Sequence, residues 1–314
     1  MKKYFFFLLT RTSFVVSIIF IISIAIPTCF LAKPINIVEA ATNIKWQQIW
    51  SDEFNLPFGN KVNEDNWQYD IGSKYPGGPD NWGTGEIEIM TNSTANVYTD
   101  GEGHLRIKAL RNSDGIWTSG RIETQRSDFA APANGILAVE ASIQLPEVSP
   151  SNGGGYWPAF WLLGAGFRGN YNNWPQVGEI DILENINGSD SIFATVHCGI
   201  VAGGPCNERI GLSKQYMVAN LQTSYHKYRM ELDRSISPEQ IRFYFDDHVF
   251  YTINSSQLDV NTWRQTFHHG FIIILNLAIG GEFPAAFGGV PSEATMSGGS
   301  MSIDYVRVYI GMVR

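Results

Sequence analysis

Three acids stand in one short run, Glu179-Ile180-Asp181-Ile182-Leu183-Glu184. Acids alternating with Ile and Leu read as a strand, whose side chains change face at every residue. Glu179 and Asp181 then share one face, while Ile180 and Ile182 enter a core. Glu184 breaks the rule. Five positions from Glu179, it would point into the core of a regular strand, where an unpaired carboxylate is costly. A β-bulge near Ile182-Leu183 adds the one residue that returns it to the acid face. Four regular steps set the two Glu Cα atoms roughly 13 Å apart. Leaning side chains, twist and the bulge can bring the carboxyl tips to about 5–6 Å, the separation used in retaining glycoside hydrolysis. Three adjacent acids cannot all ionise cheaply, so at least one is expected to hold its proton. A protonated acid beside an ionised one is an acid-plus-nucleophile pair. The bland alternatives are a solvated acidic face or a calcium site.

The surroundings weigh against the bland readings. Tyr156-Trp157-Pro158-Ala159-Phe160-Trp161 precedes the acids, and Trp174 stands just before them. Indole faces stack on the apolar faces of sugar rings. The whole chain is aromatic-rich, with 9 Trp, 13 Tyr and 19 Phe in 314 residues, more than a core of this size needs. Its net charge is -8. That balance, without a basic run, argues against nucleic acid and anionic membrane surfaces as partners.

The acids need an export route and a frame. Lys2 and Lys3 precede apolar stretches at Phe5–Leu9 and Phe14–Ile26, and Val38-Glu39-Ala40 ends in small-residue form. Residues 1–40 are expected to be a signal peptide, so the protein is expected outside the cell. Two cysteines then remain, Cys198 and Cys206, and in an oxidising compartment they are expected to pair.

From 41 to 314 there is no linker or repeat, and the chain reads as one domain. Leu105, Ile107 and Ala109 alternate with His104, Arg106 and Lys108. Ile241, Phe243 and Phe245, then Val306, Val308 and Ile310, repeat the pattern. Phe271–Leu275 is continuously apolar, as in a strand buried on both faces. Gly and Pro punctuate throughout, which implies an all-β sandwich or barrel.

The hexapeptide Glu179–Glu184 resembles the bulged E-x-D-x-x-E signature of glycoside hydrolase family 16, in the form typical of its laminarinase-like endo-1,3-β-glucanases. Further blocks resemble the family in order: Trp50-Ser51-Asp52-Glu53-Phe54, Gly85-Glu86-Ile87-Glu88, Ser119-Gly120-Arg121-Ile122, Thr195–Gly199 with Gly203–Glu208, Leu275–Gly281 and Asp304–Tyr309. The resemblance implies a β-jelly-roll of two antiparallel sheets with an open concave cleft. It implies retaining hydrolysis, with Glu179 as nucleophile, Glu184 as general acid/base and Asp181 tuning Glu179. Trp157 and Trp161 match cleft tryptophans; Trp174 joins them by its position beside the acids. Asn81, Arg121 and His197 match positions near the glycone subsites or the catalytic strand. Catalysis needs no cofactor. A structural calcium is implied on Glu53, the Gly103 carbonyl and Asp304. The stretch Phe129–Ser142 departs from the family's usual form, on a strand expected to border the cleft.

The expected activity is endo-hydrolysis of laminarin-like β-1,3-glucan by a monomer. Alternatives are mixed-linkage glucan or a galactan as substrate, or a non-catalytic β-glucan-binding protein.

Overall fold

The computed structural model describes residues 44–314. The expected signal peptide lies outside the described residues.

Two antiparallel sheets make up most of the structure. One has seven strands in the order Leu212–Met217, Ser191–His197, Glu179–Glu184, Tyr156–Gly164, Phe271–Ile279, Arg121–Thr124, Trp67–Tyr69. The second runs His248–Asn254, Gln240–Phe245, His226–Asp233, Gly135–Gln144, Ser300–Val313, Leu105–Lys108, Val97–Thr99, with Ile44–Asp52 also paired to Ser300–Val313. The jelly-roll sandwich expected from the sequence is thus present. The longest described helix, Val260–Phe267, has 8 residues and is capped by Asp259, whose side chain accepts from the amides of Asn261 and Thr262.

Alternation places the core between the sheets. Tyr156, Phe160 and Leu162 face Ile180, Ile182, Ala194 and Val196 there, joined by Ile107, Ile241, Phe243, Val306 and Val308 from the second sheet. The other face of the seven-stranded sheet carries Trp157, Ala159 and Trp161, then Glu179, Asp181 and Glu184, then Phe193, Thr195 and His197. One face is apolar and the next chemical, as period two demands. The stretch Phe129–Ser142 runs into the second sheet instead, where Glu140 pairs with Arg229 at 2.7 Å. Its departure from the family form therefore falls on the sheet that does not line the cleft, contrary to expectation.

The strand Phe271–Ile279 is buried throughout because it packs twice. Phe271, Ile273, Leu275, Leu277 and Ile279 belong to the sandwich core. Ile272 and Ile274 form a separate cluster with Leu163, Phe167 and Val177, against which Tyr75, Trp161, Tyr171 and Trp174 pack. Truncation should expose the difference. Ile273→Ala and Ile274→Ala should each cost roughly 2–5 kcal/mol in denaturant melts. Only Ile274→Ala should also alter the near-ultraviolet circular dichroism of the aromatic cluster; identical spectra for the two variants would refute the division of faces.

Candidate active site

The acid strand is bulged. Glu179 pairs with Leu163, Asp181 with Trp161, Leu183 with Phe160 and Glu184 with Ala159. Asp181 and Leu183 thus oppose consecutive residues, and Ile182 is the extra one. The other neighbour agrees: Asp181 faces Thr195 and Glu184 faces Phe193, a span of three residues against two. The insertion turns Glu184 to the same side as Glu179 and Asp181, and all three line one cleft of about 780 Å³.

Each carboxylate has its own surroundings. Trp174 Nε1 donates to Glu179 Oε2 at 3.2 Å, and Trp157 Nε1 donates to Glu184 Oε1 at 3.0 Å. Asp181 is 4% exposed, and its Oδ2 has no hydrogen-bond partner. Burial pushes the Glu184 carboxyl up to about 7, against the lowering influence of His197 and the Trp157 bond. Burial also raises Glu179, and again His197 opposes the rise. Asp181 goes well above the ordinary range through burial and the charges of Glu179, Glu184 and Glu208. Desolvation and crowding therefore favour retained protons, while local donors differ from acid to acid.

The cleft wall on the Glu179 side is aromatic and organised by Arg121. Its Nε donates to Asp70 Oδ2 at 3.0 Å, and its Nη2 donates to Tyr75 Oη at 3.0 Å. The guanidinium lies 4.7 Å from the Trp82 ring centre and 4.9 Å from that of Trp161. Planar guanidinium suits such stacking. Trp161 is further fixed by donating Nε1 to Asn276 Oδ1 at 2.8 Å. Tyr171 stacks on Tyr75 at 4.4 Å. On the Glu184 side, Trp157, Phe193 and Phe287 pack around Phe283, with ring centres 5.0–5.7 Å from it.

The structure gathers most of the expected residues. Trp157, Trp161, Trp174, Arg121 and His197 all line the cleft with the three acids. Arg121, however, is 5% exposed and already bound to Asp70 and Tyr75, so it braces the wall. Asn81 is exposed, and its neighbour Trp82 lines the cleft in its place. Both adopt left-handed backbone, with φ 52° and 55°, which reverses the chain and turns the indole inward. Tyr75, Trp82, Tyr171 and Phe283 escaped the sequence reading. A signal existed for the first two: aromatics flank the Gly- and Pro-rich stretch Pro76–Pro79. Cys198 and Cys206 form the expected disulfide, with Cα atoms 5.4 Å apart.

Of the residues expected to hold calcium, Glu53 has its side chain engaged elsewhere. Both Glu53 oxygens accept from Arg307, from Nε at 3.0 Å and Nη2 at 2.7 Å. This bond holds the Glu53 carboxyl below its usual range. Its charge is already matched by a guanidinium, which withdraws Glu53 from the ligand set. Gly103 keeps a turn conformation with φ 92°. Asp304 is the extra residue of a bulge between Ile303 and Tyr305.

A family model described as the XgeA-like catalytic GH16 domain matches residues 143–229. A solved endo-1,3-beta-glucanase from Streptomyces sioyaensis matches with a TM-score of 0.84 and 52% identity, over 86% of this chain and 97% of that one. A beta-glucanase of Rhodothermus marinus is 30% identical over 274 residues, 84% of this chain and 85% of the relative. The chain belongs to glycoside hydrolase family 16. It is also 33% identical over 282 residues to glucan endo-1,3-beta-glucosidase A1 of Niallia circulans, covering 83% of this chain and 37% of that protein's length. Family 16 membership makes the cleft that of an O-glycosyl hydrolase.

The Glu53–Arg307 pair leads to a metal-removal test. Chelator treatment should leave the melting temperature unchanged. Arg307→Ala should destabilise by about 1 kcal/mol or less, as for other partly exposed ion pairs. A fall of several degrees on chelation would restore a metal to this end of the sandwich.

Proposed function

We propose that this protein is a secreted endo-β-1,3-glucanase that cleaves laminarin-like glucan with retention of anomeric configuration. The observation that carries the reading is the bulged strand, which delivers Glu179 and Glu184 to one cleft with different donors on each. Glu184, raised to about 7, protonates the glycosidic oxygen as Glu179 attacks the anomeric carbon. The bond to the leaving sugar breaks, and a glycosyl–Glu179 ester forms. Glu184, now ionised, takes a proton from water, which attacks the anomeric carbon and releases Glu179. Asp181, between the two, disfavours a second charge close to Glu179 and tunes when that group ionises. The Trp161 and Trp82 faces offer stacking surfaces for pyranose rings.

The substrate assignment draws on the relatives from Streptomyces and Niallia, both named as endo-1,3-β-glucan hydrolases. Secretion draws on Lys2-Lys3 followed by apolar sequence and on the Cys198–Cys206 bond, which persists in oxidising compartments. A single chain carries the entire cleft, which supports action as a monomer. A panel of laminarin, mixed-linkage glucan and galactans, with linkage analysis of products, tests the substrate. Preferred release of products from mixed-linkage glucan or galactan would replace β-1,3-glucan, and binding without turnover would remove the enzyme reading.

Two expected outcomes concern the acids. Glu179→Ala should fold normally and lose hydrolysis to background; azide with an activated aryl substrate should then yield the glycosyl azide of inverted configuration. Glu184→Ala should lose roughly 10²–10⁴-fold on laminarin, yet retain glycosylation by aryl substrates that need no acid, with azide giving the retained anomer. The opposite pair of anomers would exchange the roles.

The pH profile follows from the same two groups. Glu179 must be ionised, so kcat/KM should rise as pH climbs through its elevated value. Glu184 must be protonated, so the rate should fall as pH passes about 7. Glu184→Gln, assayed on aryl substrates, should lose the alkaline fall; if that limb stays in place, another group carries it.

A further inference from the structure

His197 faces the acids but is not free to serve them unaided. It pairs in register with Glu179 across the sheet. Its Nε2 lies 3.5 Å from Asp181 Oδ2 and 3.9 Å from Glu179 Oε1. Its Nδ1 lies 2.8 Å from Glu208 Oε2. The Glu208 side chain is fully buried, and its other oxygen accepts from the Cys198 amide at 2.8 Å.

We propose that Glu208 is a positioning residue, held by the Cys198–Cys206 loop, that keeps His197 as an imidazolium aimed at the Glu179–Asp181 edge of the cleft.

A carboxylate only accepts, so His197 Nδ1 carries a hydrogen and donates it to Glu208. The remaining nitrogen, Nε2, then points at carboxylate oxygens. Were it bare, its lone pair would face Asp181 Oδ2, an atom with no other partner. Two buried acceptors facing one another are costly, so a proton belongs between them. A proton on Asp181, which burial and its acidic neighbours favour, leaves Glu208 a buried carboxylate matched only by neutral donors. A proton on His197 neutralises Glu208, and Nε2 then donates toward the Glu179–Asp181 edge while Asp181 keeps its own.

The charged groups facing the ring favour this arrangement. Glu179, Asp181 and Glu184 approach from the acid strand, and Glu208 from the loop. Of the cations lining the cleft, Arg121 is matched by Asp70 at 3.0 Å, and Arg209, beside Glu208, pairs with Glu282 at 3.4 Å. Trp174 covers the ring with centres 5.4 Å apart and brings no charge. Burial opposes charging of His197, yet the Glu208 bond and the charges of Glu179, Glu208 and Glu184 carry it above its ordinary value. The cation in turn opposes the rise of Glu179 and Glu184.

The disulfide is placed to hold the pair together. Cys198 follows His197, Cys206 precedes Glu208 by two residues, and both cysteines are buried. Gly203 and Glu208 also exchange backbone hydrogen bonds at 2.6 and 2.5 Å, which closes the loop behind the carboxylate. A carboxylate on an unconstrained loop would escape to water.

The inference deepens the proposed mechanism and rests on Glu179 as nucleophile only for its kinetic consequence. Nitrogen-15 NMR of histidine-labelled wild-type protein should show both His197 ring nitrogens protonated at neutral pH. In Glu208→Gln the His197 midpoint should fall by about one unit or more, and the acid limb of kcat/KM should move to higher pH as Glu179 loses its cation. Glu208→Asp, which keeps the charge, should recover most of both shifts. A neutral His197 in the wild-type protein overturns the proposal, and that measurement stands even if the variants fail to fold. So does an unmoved midpoint in a folded Glu208→Gln, or equal displacement in the Gln and Asp variants, which would mean shape rather than charge. The NMR readout involves no turnover, so inactivity on every glucan would sink the functional reading and leave this one intact.

Discussion

Three carboxyl groups share one face of a six-residue strand at the floor of a cleft, largely withdrawn from water, and the neighbouring elements are arranged around charge that is poorly solvated there. Asp181 and Glu184 are 4% and 8% exposed. Such a cluster survives only if protons are retained and the remaining charge is met by donors. Two indole N–H groups serve Glu179 and Glu184, and the His197 ring stands over Asp181 and Glu179. Each donor comes from a different element: the adjacent strand, the loop before the acids, and the strand on the other side. The chemistry of the site and its stability are therefore one electrostatic arrangement. The same crowding that makes the acids costly separates their proton affinities.

A second arrangement holds the wall against which the acids work. Arg121 is buried at the meeting of Trp82, Trp161, Tyr75 and Asp70. Burying a guanidinium is costly unless it is paired and bonded. Asp70 supplies the charge, Tyr75 a hydrogen-bond acceptor, and the ring faces a polarisable lining. Burial raises Asp70 to about 6 despite Arg121, so the pair is finely balanced. Beneath it, Ile272 and Ile274 give the wall an apolar backing independent of the sandwich core. The central strand thus serves two cores at once, which accounts for its unbroken apolar sequence.

Much of this was legible in the residues. Period-two alternation named the strands, and the five-residue offset between Glu179 and Glu184 required a bulge, found at Ile182. Trp174 was placed in the cleft by its position beside the acids, and Trp157 and Trp161 by resemblance as well as proximity; all three line it. Other expectations failed for a shared reason. Asn81, Glu53 and the strand after Phe129 were positioned by resemblance of short blocks, without knowledge of what each would touch. Glu53 found Arg307 more than 250 residues away, and the turn at Asn81 presented Trp82 instead.

The sequence by itself determined which residues alternate, where the alternation must break, and that three acids meet on one face. These are local properties, because side-chain direction along a strand depends only on position. The tertiary structure decided which charges those acids feel. His197 faces them because two strands align, and Glu208 reaches His197 because a disulfide folds a loop behind it. Arg121 turned from a presumed sugar ligand into a brace because Asp70 and Tyr75, from a distant segment, claim its hydrogens first. Proton affinity and hydrogen-bond partnership depend on distance in space, and separation along the chain does not reveal it.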